Sequence, residues 1–246
     1  MLHFGLVGKK LGHSFSQKWF EKRFNELQLT ECSYSNIELE TIDNVIDITS
    51  HLKGFNVTIP YKNQILPYLD ELSPEAEAIG AVNCVVRNND NKLIGYNTDY
   101  YGFMESLTPL LTNRNITQAL VLGASGGAAR AVLYALNKLN INTIKVSRTT
   151  TDGMMTYEQL TENIFHESHL IVNCTPAGMF PDVHNAPQIN YEYIDNQHIL
   201  YDLVYNPPLT EFLNRGRKRG ATVKNGLEML HLQAELSWEL FFRNNP

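Results

Sequence analysis

Short apolar runs alternate along this chain with longer stretches whose apolar residues recur every three to four positions. That rhythm predicts an α/β protein with largely parallel sheets. Leu2–Val7 reads as a first strand. Ser16 is placed to cap a helix running through Leu27, with Phe20, Phe24 and Leu27 on one face. Phe55–Ile59 is a further strand, and Ser73-Pro74-Glu75 reads as a cap with proline at the first helical position, opening a helix to Ile79. Val82–Val86 and Lys92–Tyr96 pattern as a hairpin around Asn88-Asn89-Asp90-Asn91.

A boundary falls near Asp99. Beyond it a helix, Tyr100–Leu107, leads to Pro109 and a polar stretch, Thr112–Asn115. A strand, Ala119–Leu122, then runs through a glycine turn into a helix with Ala128, Ala131, Val132, Ala135, Leu136 and Leu139 inward. Thr143–Ser147, Leu170–Cys174 and Ile199–Val204 are the next strands. The last helix, Leu227 to about Phe242, is apolar enough to pack back on the N-terminal part. The expected organisation is therefore two domains, 1–99 plus 226–246 and 100–225, with a cleft between them. No internal repeat or low-complexity tract interrupts this pattern.

Composition narrows the function classes. With 246 residues, 43% of them hydrophobic and 19% charged, the chain is an ordinary core-forming protein. A formal net charge of −6 disfavours nucleic acid and anionic membrane surfaces as partners. Nothing approaches the ~18 consecutive apolar residues of a membrane span. Three scattered cysteines, Cys32, Cys84 and Cys174, offer no CxxC pair, which fits a reducing, cytoplasmic setting without disulfide framework or zinc ribbon. The N-terminal run lacks a basic leader and a small-residue cleavage site, so it is expected to be a strand and not a signal peptide. His166 and His169 lie three apart without a third ligand, so no metal site is expected. His13 reads as structural, and Arg215-Gly216-Arg217-Lys218-Arg219 as a solvated helix end and loop.

The turn Gly123-Ala124-Ser125-Gly126-Gly127-Ala128 follows a strand and opens a helix, which is where a dinucleotide pyrophosphate sits. The fingerprint wants small residues at three places, here Gly123, Ser125 and Ala128; the second is serine, with Gly126 beside it. An NAD site usually offers an acid at the end of the next strand for the ribose hydroxyls. This chain offers Ser147-Arg148-Thr149, a cation flanked by hydroxyls, which suits the 2′-phosphate of NADP. The plainer use of Arg148 is that of a solvated residue at a strand end.

The stretch Asn56-Val57-Thr58-Ile59-Pro60-Tyr61-Lys62 puts a lysine just past an apolar run, on a ledge stiffened by proline. Gly95-Tyr96-Asn97-Thr98-Asp99 supplies a carboxylate in a similar setting. Lysine and aspartate held together form a proton-transfer pair, and with a dinucleotide site they point to a redox enzyme acting on an alcohol or ketone.

These two stretches, with Ser14-Phe15-Ser16, Gly80-Ala81-Val82-Asn83 and Asn225-Gly226-Leu227-Glu228-Met229-Leu230, occur in the order seen in shikimate dehydrogenases. The chain resembles that family over nearly its whole length. The resemblance implies an N-terminal substrate domain, a Rossmann-type domain, and NADP-dependent, reversible reduction of 3-dehydroshikimate to shikimate in aromatic amino-acid biosynthesis. It implies that Lys62 protonates the developing alkoxide with Asp99 as partner. Ser14 and Ser16 would hold the substrate carboxylate, Asn83 and Gln233 the ring hydroxyls, and Thr58 and Tyr205 would line the pocket. Leu203, where the family often has methionine, and Gly226 would lie near the nicotinamide. Oligomeric state stays open between monomer and homodimer.

Several features depart from the family pattern. Ser125 is an extra residue in the glycine turn, and Thr149-Thr150-Thr151-Asp152 replaces a second basic residue, which predicts a weaker NADP preference. The chain ends soon after Phe242, so a closing helix is expected to be absent. Plainer uses also exist: Ser16 and Asp99 as helix caps, Lys62 as a solvated surface charge after a strand, Asn56 serving its own strand and turn, Gln233 as surface. Two other functions fit less well, a quinate/shikimate dehydrogenase using NAD and a cofactor-binding sensor that has lost turnover.

Overall fold

The computed structural model describes residues 1–12, 14–149 and 153–243. His13 and Thr150-Thr151-Asp152 therefore lie outside the described residues. The chain divides into two compact units, Met1–Asp99 with Gln233–Pro246, and Tyr100–Leu232.

The first unit begins β1 (Leu2–Gly8), α1 (Phe15–Glu26), β2 (Cys32–Glu38), α2 (Val45–Ile48), β3 (Gly54–Val57), β4 (Glu71–Leu72), α3 (Pro74–Ile79), β5 (Cys84–Arg87) and β6 (Leu93–Tyr96). Its sheet runs β2-β1-β3-β5-β6-β4. The expectation of largely parallel pairing holds only for part of it. β2, β1 and β3 are parallel, but β5 meets both β3 and β6 antiparallel. The reason is local: β5 and β6 are joined by the short Asn88–Asn91 turn, and a connection that short permits only an antiparallel pair. Asn91 stands at φ 66°, a left-handed conformation that asparagine tolerates.

Helix α1 corrects one expectation. Its cap is Ser14, whose Oγ accepts a hydrogen bond from the Gln17 N–H, and Ser16 lies inside the first turn. The two serines share a capping signal, and the chain enters helical geometry one residue after the first. Phe20 and Phe24 are buried as expected, whereas Leu27 is left exposed as the C-cap residue. Ser73 caps α3 with Pro74 in the first turn, and Gly80 ends it at φ 67°.

The second unit comprises α4 (Asp99–Leu111), which begins at the boundary, β7 (Gln118–Leu122), α5 (Gly127–Lys138), β8 (Asn142–Ser147), β9 (Met155–Thr156), α6 (Glu162–Glu167), β10 (Leu170–Asn173), β11 (Ile199–Asp202), α7 (Glu211–Lys218), β12 (Thr222–Lys224) and the first part of α8 (Leu227–Arg243). Its sheet, β12-β11-β10-β7-β8-β9, is parallel throughout. The order reverses at β7, the topological switch point beside which such sheets bind ligands.

Pro109 does not stop α4, which continues to Leu111. Proline removes one backbone bond, but Leu107 is fully buried and Leu110 and Leu111 pack on the same core, so burial carries the helix past it. In α5 the inward residues are Ala129, Ala131, Val132, Ala135 and Leu136, whereas Ala128 and Leu139 are half-buried.

The distal part of α8 completes the first unit. Phe241 stacks on Phe4 with ring centroids 4.9 Å apart, and both are fully buried. Gly54 makes room for it, because a Cβ there would stand 2.5 Å from the Phe241 ring. Burying two such rings contributes several kcal/mol, at roughly 1.5–3 kcal/mol each. No helix among the described residues is long and apolar enough to cross a membrane.

α6 ends at Glu167, so His166 and His169 do not share a helix, and no group of three metal-ligating side chains occurs among the described residues. In the basic run, Arg215 pairs with Glu211 and lies over the Tyr191 ring, while Arg219 donates to the backbone carbonyls of Ile194 and Glu192.

Candidate active site

Lys62 is set by the turn that follows β3. Tyr61 is buried and its hydroxyl donates to the Leu39 carbonyl at 2.6 Å. The Lys62 carbonyl accepts from the Val82 N–H at 2.8 Å. The backbone on both sides of the lysine is thus pinned, and its Nζ reaches Asp99 Oδ2 at 2.6 Å. The side chains are only 18% and 11% exposed, so the pair is shielded from bulk water and its attraction is stronger than at a surface.

Asp99 is the first residue of α4, where the helix dipole favours a negative charge. Its backbone N–H donates to Asn97 Oδ1 at 3.1 Å. Its second carboxylate oxygen accepts from Asn83 Nδ2 at 2.9 Å. The orientation of the Asn83 amide follows from a neighbour that can only donate: the Thr98 backbone N–H reaches Asn83 Oδ1 at 2.6 Å. The Asn83 nitrogen must therefore face Asp99 and the Thr98 hydroxyl, the latter at 2.9 Å.

The network continues inward. Gln233, one of the residues expected to serve either surface or ligand, is buried on α8 with Oε1 at 3.3 Å from the Thr98 hydroxyl. Ser237, one turn further along α8, donates to the Gln233 carbonyl at 2.9 Å and accepts from Asn56 Nδ2 at 3.0 Å. Asn56 also donates to the Asn83 carbonyl and accepts from the buried Tyr34 hydroxyl. Asn56 thus joins its strand to its neighbours. Burial pushes the Tyr34 hydroxyl well above the ordinary phenol range and lifts the neighbouring Cys84 thiol to about 12, so both stay protonated.

Lys62, Asp99, Asn83 and Gln233 are accordingly brought together, and Ser14 and Ser16 stand at the N-terminus of α1 within the same unit. Thr58 is half-buried beside β1, its N–H donating to the Val7 carbonyl at 2.9 Å. Tyr205 belongs to the second unit, where it is 39% exposed.

The glycine turn of the second unit is built from backbone. The N–H groups of Gly123 and Ala124 both reach the Val146 carbonyl, at 2.9 and 3.0 Å. Gly123 has φ 75°, and a Cβ there would lie 2.5 Å from Thr175 Cγ2. Only glycine fits both demands. Gly126 occupies the N-cap of α5 without a side-chain cap, and a Cβ on Gly127 would meet nothing within 4 Å. The first turn of α5 therefore has no side-chain cap and has room beside Gly127, which fits a pyrophosphate. Ser125 is exposed and Ala128 half-buried. Ser147 is buried at the end of β8 with its hydroxyl bonded to the Thr149 carbonyl, while Arg148 and Thr149 are exposed. Arg148 is thus free of burial cost at the end of β8. Gly226 packs directly on Leu203; a Cβ there would overlap the Leu203 carbonyl oxygen at 2.2 Å.

Sequence reasoning missed Thr98, Ser237 and Asp202. Thr98 lies inside a quoted motif. Ser237 carries no local signal, since its partners are as far as 181 residues away in sequence. Asp202 could have been flagged as an acid closing an apolar strand. It is fully buried, and burial lifts its carboxyl to about 6 despite bonds from Thr210, Val204 and Asn173.

Comparison with known proteins agrees with this geometry. Residues 6–85 match the family model of the shikimate dehydrogenase substrate binding domain. The chain is 38% identical to the shikimate dehydrogenase (NADP(+)) of Clostridium beijerinckii, over 97% of this chain and 92% of that one. Shikimate 5-dehydrogenase from Thermus thermophilus, solved with NADP(H) and shikimate, superposes with a TM-score of 0.85 at 32% identity, over 98% of this chain and 93% of that one. Quinate dehydrogenase from Corynebacterium glutamicum, solved with NAD, superposes at 0.88 with 27% identity, over 98% and 93%. With a Rossmann-type parallel sheet, an N-terminal substrate unit and relatives this similar over nearly its whole length, the chain belongs to the shikimate dehydrogenase family.

Proposed function

We propose that this chain is an NADP-dependent shikimate dehydrogenase of the cytoplasm, reducing 3-dehydroshikimate reversibly to shikimate for aromatic amino-acid biosynthesis. The observation that carries the reading is the 2.6 Å Lys62–Asp99 pair, held by Asn83 in a partly shielded polar cluster. NADPH, when bound, supplies a hydride to the ring carbonyl carbon. Negative charge then develops on the carbonyl oxygen, and the Lys62 ammonium stabilises it and donates the proton that completes the alcohol. Lys62 recovers a proton from solvent; in the reverse direction it takes one from the hydroxyl.

Asp99 keeps the ammonium in place, and its other oxygen is held by Asn83, so neither member can swing away. Gln233 and Asn83 stand beside the pair as the groups that would read ring hydroxyls. Ser14 and Ser16, at the start of a twelve-residue helix, would hold the substrate carboxylate. Thr58 of the first unit and Tyr205 of the second are the further residues proposed to meet the substrate. The Gly123–Ala128 turn and α5 would take the pyrophosphate, Arg148 with Ser147 and Thr149 the 2′-phosphate, and Leu203 and Gly226 the nicotinamide end.

Arg148 and the two serines favour NADP and shikimate over NAD and quinate, since quinate carries an extra hydroxyl next to its carboxylate. A panel of purified protein with 3-dehydroshikimate and NADPH, 3-dehydroshikimate and NADH, and quinate and NAD decides the matter by absorbance of the reduced cofactor. NADPH is expected to be consumed at least about tenfold more efficiently than NADH, as one charge-assisted contact implies. A folded protein that consumes neither would move the reading to a binding protein without turnover.

A further inference from the structure

Asp202 is a buried acid to which the reaction above gives no task. It closes β11 at the carboxyl end of the parallel sheet, beside Asn173 at the end of β10. Its Oδ1 accepts from Asn173 Nδ2 at 2.9 Å and from the Val204 N–H at 3.0 Å, and its Oδ2 accepts from the Thr210 hydroxyl at 2.5 Å. Each donor belongs to a different piece of chain. Val204 lies between Leu203 and Tyr205. Thr210 is the N-cap of α7, its Oγ also receiving the Leu213 N–H. Asn173 passes the connection on, because its Oδ1 accepts both the N–H and the hydroxyl of Thr175, at 3.0 and 2.6 Å. Thr175 in turn is the residue against which Gly123 packs.

One carboxylate therefore ties together the segments after β10 and β11 and, through Thr175, the glycine turn after β7. These are the segments at the carboxyl ends of the strands, where doubly wound sheets bind their ligands. On the dehydrogenase reading above, we infer that Asp202 is a positioning residue for the dinucleotide site, holding the Leu203–Tyr205 segment and the Gly123 turn in register with each other. Two further anchors fix the same segment, the Leu203 N–H on the Asn173 carbonyl at 3.0 Å and the Gly226 N–H on the Val204 carbonyl at 3.3 Å. A carboxylate suits the place because all three partners are donors. An isosteric amide would turn an N–H toward one of them and lose that bond.

The test is Asp202→Asn in the full chain, with Asp195→Asn as control. Asp195 is a carboxylate of the same unit that pairs with the buried His198 before β11, away from the carboxyl ends of the strands. NADPH dissociation constants are read by cofactor fluorescence, shikimate KM and kcat by steady-state rates, and folding by thermal melts, all at pH 8. Asp202→Asn is expected to weaken NADPH binding roughly tenfold, the size of one lost charge-assisted hydrogen bond, and to raise the shikimate KM by less than that, since of the held segments only Tyr205 is assigned to substrate. Asp195→Asn is expected to lower the melting temperature alone. If Asp202→Asn fails to fold, Thr210→Val removes one donor and leaves the carboxylate, and a threefold or greater loss of NADPH affinity is expected. Unchanged NADPH affinity in the folded variant overturns the inference while leaving the dehydrogenase reading intact. Wild type that binds no NADPH overturns both.

Discussion

Around Lys62 the contacts run from side chain to side chain, whereas around Gly123 they run from backbone to backbone. Asp99, Asn83, Thr98, Gln233, Ser237 and Asn56 hold one another through amides, hydroxyls and a carboxylate. The glycine turn uses two N–H groups on one carbonyl, a positive φ and a helix start without a side-chain cap. The first arrangement depends on what each residue is, and the second on the path the chain takes. Substitution should therefore cost chemistry in the first unit and shape in the second.

The largest effect is expected at the proton-handling pair. Lys62→Ala or Asp99→Asn should lower kcat by about 10²–10⁴, the usual range for a general acid–base group, with a circular dichroism spectrum like that of wild type. A loss below tenfold would break the comparison at its strongest point. Gly123→Ala tests the opposite region. At φ 75° and with Thr175 Cγ2 2.5 Å from the new methyl, the variant should lose about 2–4 kcal/mol of stability by denaturant titration. It should also bind NADPH more weakly. Gly127→Ala, whose Cβ meets nothing within 4 Å, should leave stability within about 1 kcal/mol of wild type.

A smaller effect follows from Asp202. Its folded carboxyl is raised from 3.8 to about 6, so the folded state holds a proton that the unfolded state has already released between those values. Stability should be fully present below about pH 4, fall as pH rises through 6, and level off above, with a total on the order of 1–3 kcal/mol. Asp202→Asn should flatten that part of the profile; an identical slope in the variant would assign it to other groups. Smallest is Arg148→Ala, expected to raise the KM for NADPH roughly tenfold while leaving that for NADH within about twofold. Equal losses with both cofactors would place Arg148 away from the 2′-phosphate.

The contrast between the regions also explains what the sequence made legible. The parallel sheet, the glycine turn and the helix after it follow from periodicity and from glycine between an apolar strand and an apolar helix. Lys62 and Asp99 stand out through the order of the motifs that carry them, since taken singly a lysine after a strand reads as a solvated charge and Asp99 as a helix cap. What stayed hidden depends on distance along the chain. Ser237 gains its role from Asn56 and Thr98, residues brought beside it only by the fold. The antiparallel centre of the first sheet was readable as a hairpin but not as a partner of β3, since strand order is set by packing. Ser14 took the cap expected of Ser16, because two serines separated by one residue carry the same capping signal. Pro109 sits inside α4 because burial of Leu107 outweighs one lost bond.

The central claim is that Lys62 and Asp99 act as one unit in proton transfer. A double-mutant cycle in 3-dehydroshikimate reduction, with Lys62→Ala, Asp99→Asn and both together at saturating NADPH, tests it most directly. The account predicts that the double variant is no slower than Lys62→Ala alone within about threefold, since residues that act as a unit lose their effect once. Losses that multiply, so that the double variant falls by the product of the two single effects, would contradict it.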